Sequence, residues 1–413
     1  MSGASIGVVD FDEALKIVLS HAHNLPLPET EQLPLLECLN RVLAEAVRAD
    51  RDQPPFDRST RDGFAVRAAK FGDKMLRIAG QVRAGEQWGG GALQEGAAIE
   101  IMTGAPIPDG ANAVVMVEHV SRSDGAIRAL SGRTVRSGEN IVRGGSEARA
   151  GEIVLPAGTR IEGAEIALAA ACGCSRPTVF RRPRMAIVAT GDELVEIEAT
   201  PALQQIRNSN SYGLAALAAQ AGGEALRLPI APDRRAALEE IIRLGRRSEL
   251  MLLSGGVSMG EYDLVEEVLE SLGAEFFFTG VRMQPGKPVV FGRLPATKDI
   301  PSQFFFGLPG NPVSTQVTFH CFVEPLLKAM AGAGVQAPHF AQATLAEDVE
   351  GKPGLMRVLP ARLTPHRLQP EVKLVGWQGS GDLAANARAN CYAVLPPEKE
   401  RFAAGEIITI LLR

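Results

Sequence analysis

The chain has no apolar run near the roughly 18 residues that a membrane-spanning helix needs, which excludes that class of protein. Its first fifteen residues, Met1 to Leu15, carry no basic region followed by an apolar stretch and a small-residue cleavage site, so the expectation is a cytoplasmic protein. Cysteine is scarce: five residues in 413 cannot build a disulfide framework and suit a reducing compartment. Cys172 and Cys174 lack a second pair or a His cluster to complete a zinc site, so they read as small buried thiols. Positive charge is not in excess, because 43 Lys and Arg face 48 Asp and Glu, and recognition of nucleic acid relies on a clearly basic surface. Any anionic ligand must therefore be held by particular loops. Neither G-x-G-x-x-G nor G-x-x-x-x-G-K-[ST] occurs, which argues against a dinucleotide enzyme and a P-loop ATPase. No fixed-period repeat is present, so a solenoid is excluded.

What is present is globular composition, 46% apolar and 22% charged, in a length that predicts roughly two to four domains. Asp10 and Glu13 form a capping-box pattern before Phe11, Ala14, Leu15, Val18 and Leu19, which repeat with helical spacing. From about Val47 to Glu147 short β-like runs alternate with glycine-rich stretches, the pattern of a β-rich insertion. From Arg184 strands and helices alternate. Expected helices span 212–221, 234–244, 263–272 and 314–330, the last bent by Pro325. This order predicts an open, mostly parallel sheet covered on both faces, and short strands from about Phe340 predict a small β domain.

In such a sheet ligands bind beyond the carboxyl ends of the strands. Three strand-to-helix loops lie there: TGDEL with Thr190, Gly191, Asp192 and Glu193; SGGVSMGEYD with Ser254, Gly255, Gly256, Ser258 and Asp263; and LPGNPVS with Pro309, Gly310, Asn311 and Pro312. Each alone is explained as a turn, yet glycines also let backbone N–H groups approach an anion at a helix N-terminus. Glu193, Asp233 and Asp263 are candidates to hold Mg²⁺ against phosphate, while Asp263 serves equally well as a helix N-cap. In MQPGKPVV, Gly286 precedes Lys287, whose ammonium is placed to neutralise phosphate or an oxyanion. Two further polar stretches fall in the insertion. PPFDRSTRDGFAV contains Asp62, where Asp62–Gly63 also reads as a turn, and IMTGAPIPDGAN contains Thr103.

Taken in order, PPFDRSTRDGFAV, IMTGAPIPDGANAVV, LPAGTRI, TGDEL, SGGVSMGEYD, MQPGKPVVFG, LPGNPVS and GSGDLAANARAN resemble the molybdopterin molybdenumtransferase family, called MoeA in bacteria and the gephyrin E domain in animals. The resemblance implies an elongated N-terminal domain in two segments (1–48 and 148–182), a β-rich insertion (49–147), a doubly wound α/β/α domain (183–332) and a C-terminal β domain (338–413). It also implies a homodimer whose site joins the doubly wound domain of one subunit to the insertion of the other. Asp62 and Thr103 would then line the site, Glu193, Asp233 and Asp263 would hold molybdate or Mg²⁺ with the pyrophosphate, and Lys287 would face the anions. The implied reaction inserts molybdate into adenylylated molybdopterin and releases AMP. A molybdopterin adenylyltransferase is the implied upstream partner, and it is also the nearest rival reading; a gephyrin-like scaffold is another. This chain departs from the family pattern at Arg58 and Arg61, at Gln284, where many relatives carry Lys, at Gly145–Ser146–Glu147, and at Arg207 to Asn210, which replaces a commoner Asp-Ser-Asn.

Overall fold

In a computed structural model the described residues are 7–413, except 73, 256–263 and 367. The chain folds into several α/β and β units, as its patterning predicts. The central six-stranded sheet has the order Glu224–Arg227, Arg184–Ala189, Leu250–Ser254, Gln303–Leu308, Val290–Leu294, Glu275–Phe278. The first four strands run parallel, and the last two form an antiparallel edge.

Side chains alternate across this sheet, and both faces are apolar. Met185, Ile187, Leu250 and Leu252 point to one face, against Leu214, Val313 and Phe322. Ala186, Val188, Met251 and Leu253 point to the other, against Leu238, Ile242, Val265 and Leu269. The helices that supply these partners are Ser209–Gln220 and Pro312–Thr318, with the turn Phe319–Val323 that carries Phe322, on the first face, and Arg235–Gly245 and Leu264–Ser271 on the second. The long last helix does not simply bend at Pro325. It passes through a π turn, Phe319–Val323, before resuming as Glu324–Met330. The wider turn ends two residues before Pro325, which has no N–H to give to the helix.

The first helix, Phe11–His23, has the expected apolar stripe, but its partners lie outside the elongated region with which the resemblance grouped it. Phe11, Ala14, Val18 and Ala22 enter the core of the doubly wound unit, and Val8–Val9 pairs in parallel with Gly280–Val281. The expected capping box does not form there. Asp10 occupies the N-cap position, but its Oδ1 accepts from Arg282 Nε at 2.6 Å, because an ion pair to the neighbouring strand outcompetes the helix N–H groups.

The insertion is built on a six-stranded sheet in the order Ala113–Met116, Gly63–Val66, Ala97–Ile101, Leu76–Val82, Ala126–Ala129, Val120–Ser123. In the C-terminal unit, Met356–Thr364 pairs with both Glu371–Leu374 and Cys391–Leu395, which closes the sheet on itself and removes its edges. No helix among the described residues is long and apolar enough to cross a membrane. Cys172 is buried and Cys174 half-buried, both free thiols.

Candidate functional site

Three neighbouring strands of the central sheet, Arg184–Ala189, Leu250–Ser254 and Gln303–Leu308, end at the same edge. Beyond them opens a cavity of about 850 Å³. Its walls include Thr190, Gly191, Glu193, Asp233, Ser254, Gly255 and the run Pro309, Gly310, Asn311 and Pro312. One link binds these loops together: Asn210 Nδ2 donates to Ser254 Oγ at 3.0 Å and to the Gly310 carbonyl at 2.7 Å. Since Ser254 Oγ accepts this bond, its own proton is left to donate to a bound oxygen.

Gly255 is required by geometry. Its φ is +96°, and a Cβ at this position would lie 2.4 Å from the Thr190 carbonyl oxygen. The neighbouring strand ends can approach so closely only with glycine there. Thr190 is buried, and its Oγ1 donates to Asp233 Oδ1 at 2.7 Å, which fixes the carboxylate at the cavity wall. Asp192 does not reach the wall; its Oδ1 accepts from the Asp233 backbone N–H at 3.2 Å and so holds the loop that carries Asp233.

Gly286 and Lys287 also lie off the wall. Gly286 is packed on Thr318, and it is Pro288 that lines the cavity. The Lys287 carbonyl accepts from Val281 N at 2.9 Å while its side chain is exposed. Gly256, Ser258 and Asp263 fall outside the described residues.

Asp62 and Thr103 come together, but away from this cavity. Asp62 Oδ1 accepts from both the backbone N–H of Thr103, at 2.7 Å, and its Oγ1, at 2.8 Å. The backbone donor first, then the hydroxyl, holds the carboxyl below the usual carboxylate range. The Asp62–Gly63 turn is a corner between two sheets, not a hairpin: Arg58–Ser59 pairs with Ile141–Val142, whereas Gly63–Val66 pairs with Ala97–Ile101 and Ala113–Met116. Arg58 contributes little free charge to this corner, since its Nη2 pairs with Glu147 Oε1 at 3.3 Å.

Several wall residues were not singled out as site residues from the sequence. Arg207, Asn208 and Ser209 line the cavity where a departure from the family pattern was the only signal, Ile206 lines it with no signal, and Gly381 and Leu383 reach it from the C-terminal unit. Gly381 belongs to GSGDLAANARAN, one of the motifs behind the resemblance, which carried no assigned role. The Ser380 carbonyl accepts from Val313 N at 2.9 Å and ties this segment to the start of the Pro312–Thr318 helix.

Matches to known proteins follow the same order of units. Residues 9–173 match the model of the MoeA N-terminal region (domain I and II), 186–329 that of a probable molybdopterin binding domain, and 342–412 that of the MoeA C-terminal region (domain IV). The chain belongs to the MoeA family. A molybdopterin molybdenumtransferase of Haemophilus influenzae is 34% identical, over 94% of this chain and 95% of that protein. One from Nostoc sp. is 34% identical over 93% of this chain and 88% of that protein. Among solved structures, the molybdopterin biosynthesis moeA protein of Pyrococcus horikoshii OT3 superimposes with a TM-score of 0.80 at 29% identity, covering 98% of this chain and all (100%) of that one. MoeA family membership therefore rests on all the units, including those that a lone molybdopterin-binding module would lack.

Proposed function

We propose that this chain works as a molybdopterin molybdenumtransferase in molybdenum cofactor biosynthesis, taking molybdate and adenylylated molybdopterin and releasing AMP. The observation that carries this reading is the cavity at the sheet edge, walled by three strand-end loops in a chain whose full-length relatives bear that name. The substrate's two thiolates capture the metal, so the protein need supply no sulfur ligand, and attack of water or a molybdate oxygen on the pyrophosphate breaks its bridging P–O bond and frees AMP. The chain's part is to bind, orient and offset charge. Ser254 donates to a substrate oxygen, Asn210 keeps the loops of Ser254 and Gly310 in register, and the backbone at Gly255 and Gly310 lets phosphate oxygens approach.

Mg²⁺ fits this donor set. It takes one or two carboxylates, keeps several waters and completes its shell with substrate phosphate, and Glu193 and Asp233 both line the cavity. Among the described residues no group of three or more His, Cys, Asp and Glu gathers around one point, as a dedicated all-protein metal cage would require. Asp263 is the third expected ligand. Bound there, Mg²⁺ would offset the charge of the phosphates.

The same reading has the chain act as a cytoplasmic homodimer, supplied by a molybdopterin adenylyltransferase. A second copy would bring its Asp62 and Thr103 to the cavity, and Lys287 would then face the anions from its rim. The rival, adenylyltransferase activity, leaves the 9–173 and 342–412 regions without a use. Incubation with adenylylated molybdopterin separates the two. Release of AMP that depends on molybdate supports the transferase, and turnover of ATP with non-adenylylated pterin supports the rival.

A further inference from the structure

The proposed substrate is strongly anionic, and the expected counter-charge, Lys287, is exposed and off the wall. Among the described residues lining the cavity, the charged side chains are Glu193, Asp233 and Arg207. Two are acids. Arg207 is thus the single cation that the described wall offers.

Arg207 is exposed, as Lys287 is, but it lines the cavity and is held in place by its backbone and its Nε. Arg207 ends a short strand, Ile206–Arg207, parallel to Leu194–Val195, and that strand is anchored at both ends to its neighbour. Ile206 N donates to the Glu193 carbonyl and Asn208 N to the Val195 carbonyl, each at 2.9 Å. The side chain is itself tethered, because Arg207 Nε donates to the Ile197 carbonyl at 2.9 Å. One edge of the guanidinium is therefore fixed, and its two terminal nitrogens have no ion-pair partner among the described residues. Nearby Arg227 is differently used: it pairs with Glu196 at 3.0 Å and lies 3.5 Å from the Tyr212 ring centre.

We propose that Arg207 is a specificity residue that grips a phosphate of the adenylylated substrate and, after transfer, the phosphate of AMP. A planar guanidinium held at Nε still presents two donors in a fork that matches two phosphate oxygens. Arg207 also directly precedes Asn208, whose Oδ1 accepts from Ser211 N at 3.3 Å and caps the helix Ser209–Gln220, so the cation stands beside a helix N-terminus at the same wall. The inference rests on the transferase reading for the identity of the ligand, and on the cavity geometry for the role of the residue.

The test is calorimetric titration of AMP and of adenosine into the full-length protein, comparing wild type with Arg207→Gln and Arg207→Lys. Loss of a charge-assisted phosphate contact weakens AMP roughly tenfold to a hundredfold in Arg207→Gln. Adenosine affinity stays unchanged, and Arg207→Lys recovers part of the loss. The salt dependence of AMP binding falls in Arg207→Gln, and its loss in turnover appears in KM more than in kcat. Equal AMP affinity in wild type and Arg207→Gln overturns the assignment, as does a loss shared equally by AMP and adenosine, or a wild type that turns over with no measurable AMP affinity. The transferase reading fails separately: it falls if the wild type releases no AMP from adenylylated molybdopterin with molybdate, whatever the AMP titrations show.

Discussion

The edge of the doubly wound sheet and the Asp62 corner of the insertion are both polar, yet they are organised in opposite ways. At the sheet edge, buried strands deliver loops whose side chains tie to one another across the chain, Asn210 to Ser254 and Gly310, and Thr190 to Asp233, and a cavity is left between them. At the corner, Asp62 is exposed and held ionised by Thr103, but neither residue lines that cavity. One region has a container without enough positive charge. The other has an ordered carboxylate without a container. An ordered, exposed polar pair of this kind suits a surface completed by a second molecule, which is how the homodimer proposed above uses it.

The contrast can be broken at its tightest point. Gly255→Ala forces a Cβ onto the Thr190 carbonyl in a backbone conformation that L-residues avoid, so kcat/KM drops by about a hundredfold while global unfolding changes far less. Steady-state kinetics with thermal melting checks this, and near-normal turnover would mean that close approach of the strand ends is not needed. Asp62→Asn produces the next largest effect, a loss of roughly tenfold or more in turnover with an unchanged melting temperature, since its carboxylate is exposed. A melting shift in step with the activity loss would turn Asp62 into a merely structural residue.

Thr103→Ala gives the smallest effect and sharpens the comparison most finely. It removes the hydroxyl donor and keeps the backbone donor, so activity falls only roughly threefold. The Asp62 carboxyl moves up toward its ordinary value, and the acid limb of the pH profile moves up with it. A carboxyl with a depressed pKa stays ionised to lower pH, so removing a donor that depresses it brings the loss of the ionised form, and of the activity that needs it, to higher pH. NMR titration of Asp62 reads it directly.

Much of this organisation is legible in the sequence because burial leaves a periodic trace. Alternating β and α patterns place the loops after Ala189, Ser254 and Leu308 at one edge, and the cavity is there. Side-chain direction is not legible in the same way. Lys287 looks suited to an anion, but the turn that carries it, held by the pairing of Met283–Gln284 with Met356–Arg357 of the C-terminal unit and by the bond from Val281 to the Lys287 carbonyl, leaves its side chain exposed and off the cavity wall. Gly381 and Leu383 come from a remote part of the chain, and only tertiary contact brings them in. The first helix shows its apolar stripe plainly, whereas its partner, the doubly wound core, is a matter of packing between distant segments.

Subunit mixing tests the shared site most directly. Asp62→Asn and Asp233→Asn proteins, each strongly impaired alone, are unfolded together, refolded at equal concentration and assayed for molybdate-dependent AMP release above the residual activity of the separate variants. With a site built from the insertion of one subunit and the doubly wound domain of the other, half of the dimers are mixed and each mixed dimer has one intact site of two, so about a quarter of wild-type activity returns. No recovery above the separate variants would mean that Asp62 and Asp233 act within a single chain or in separate processes.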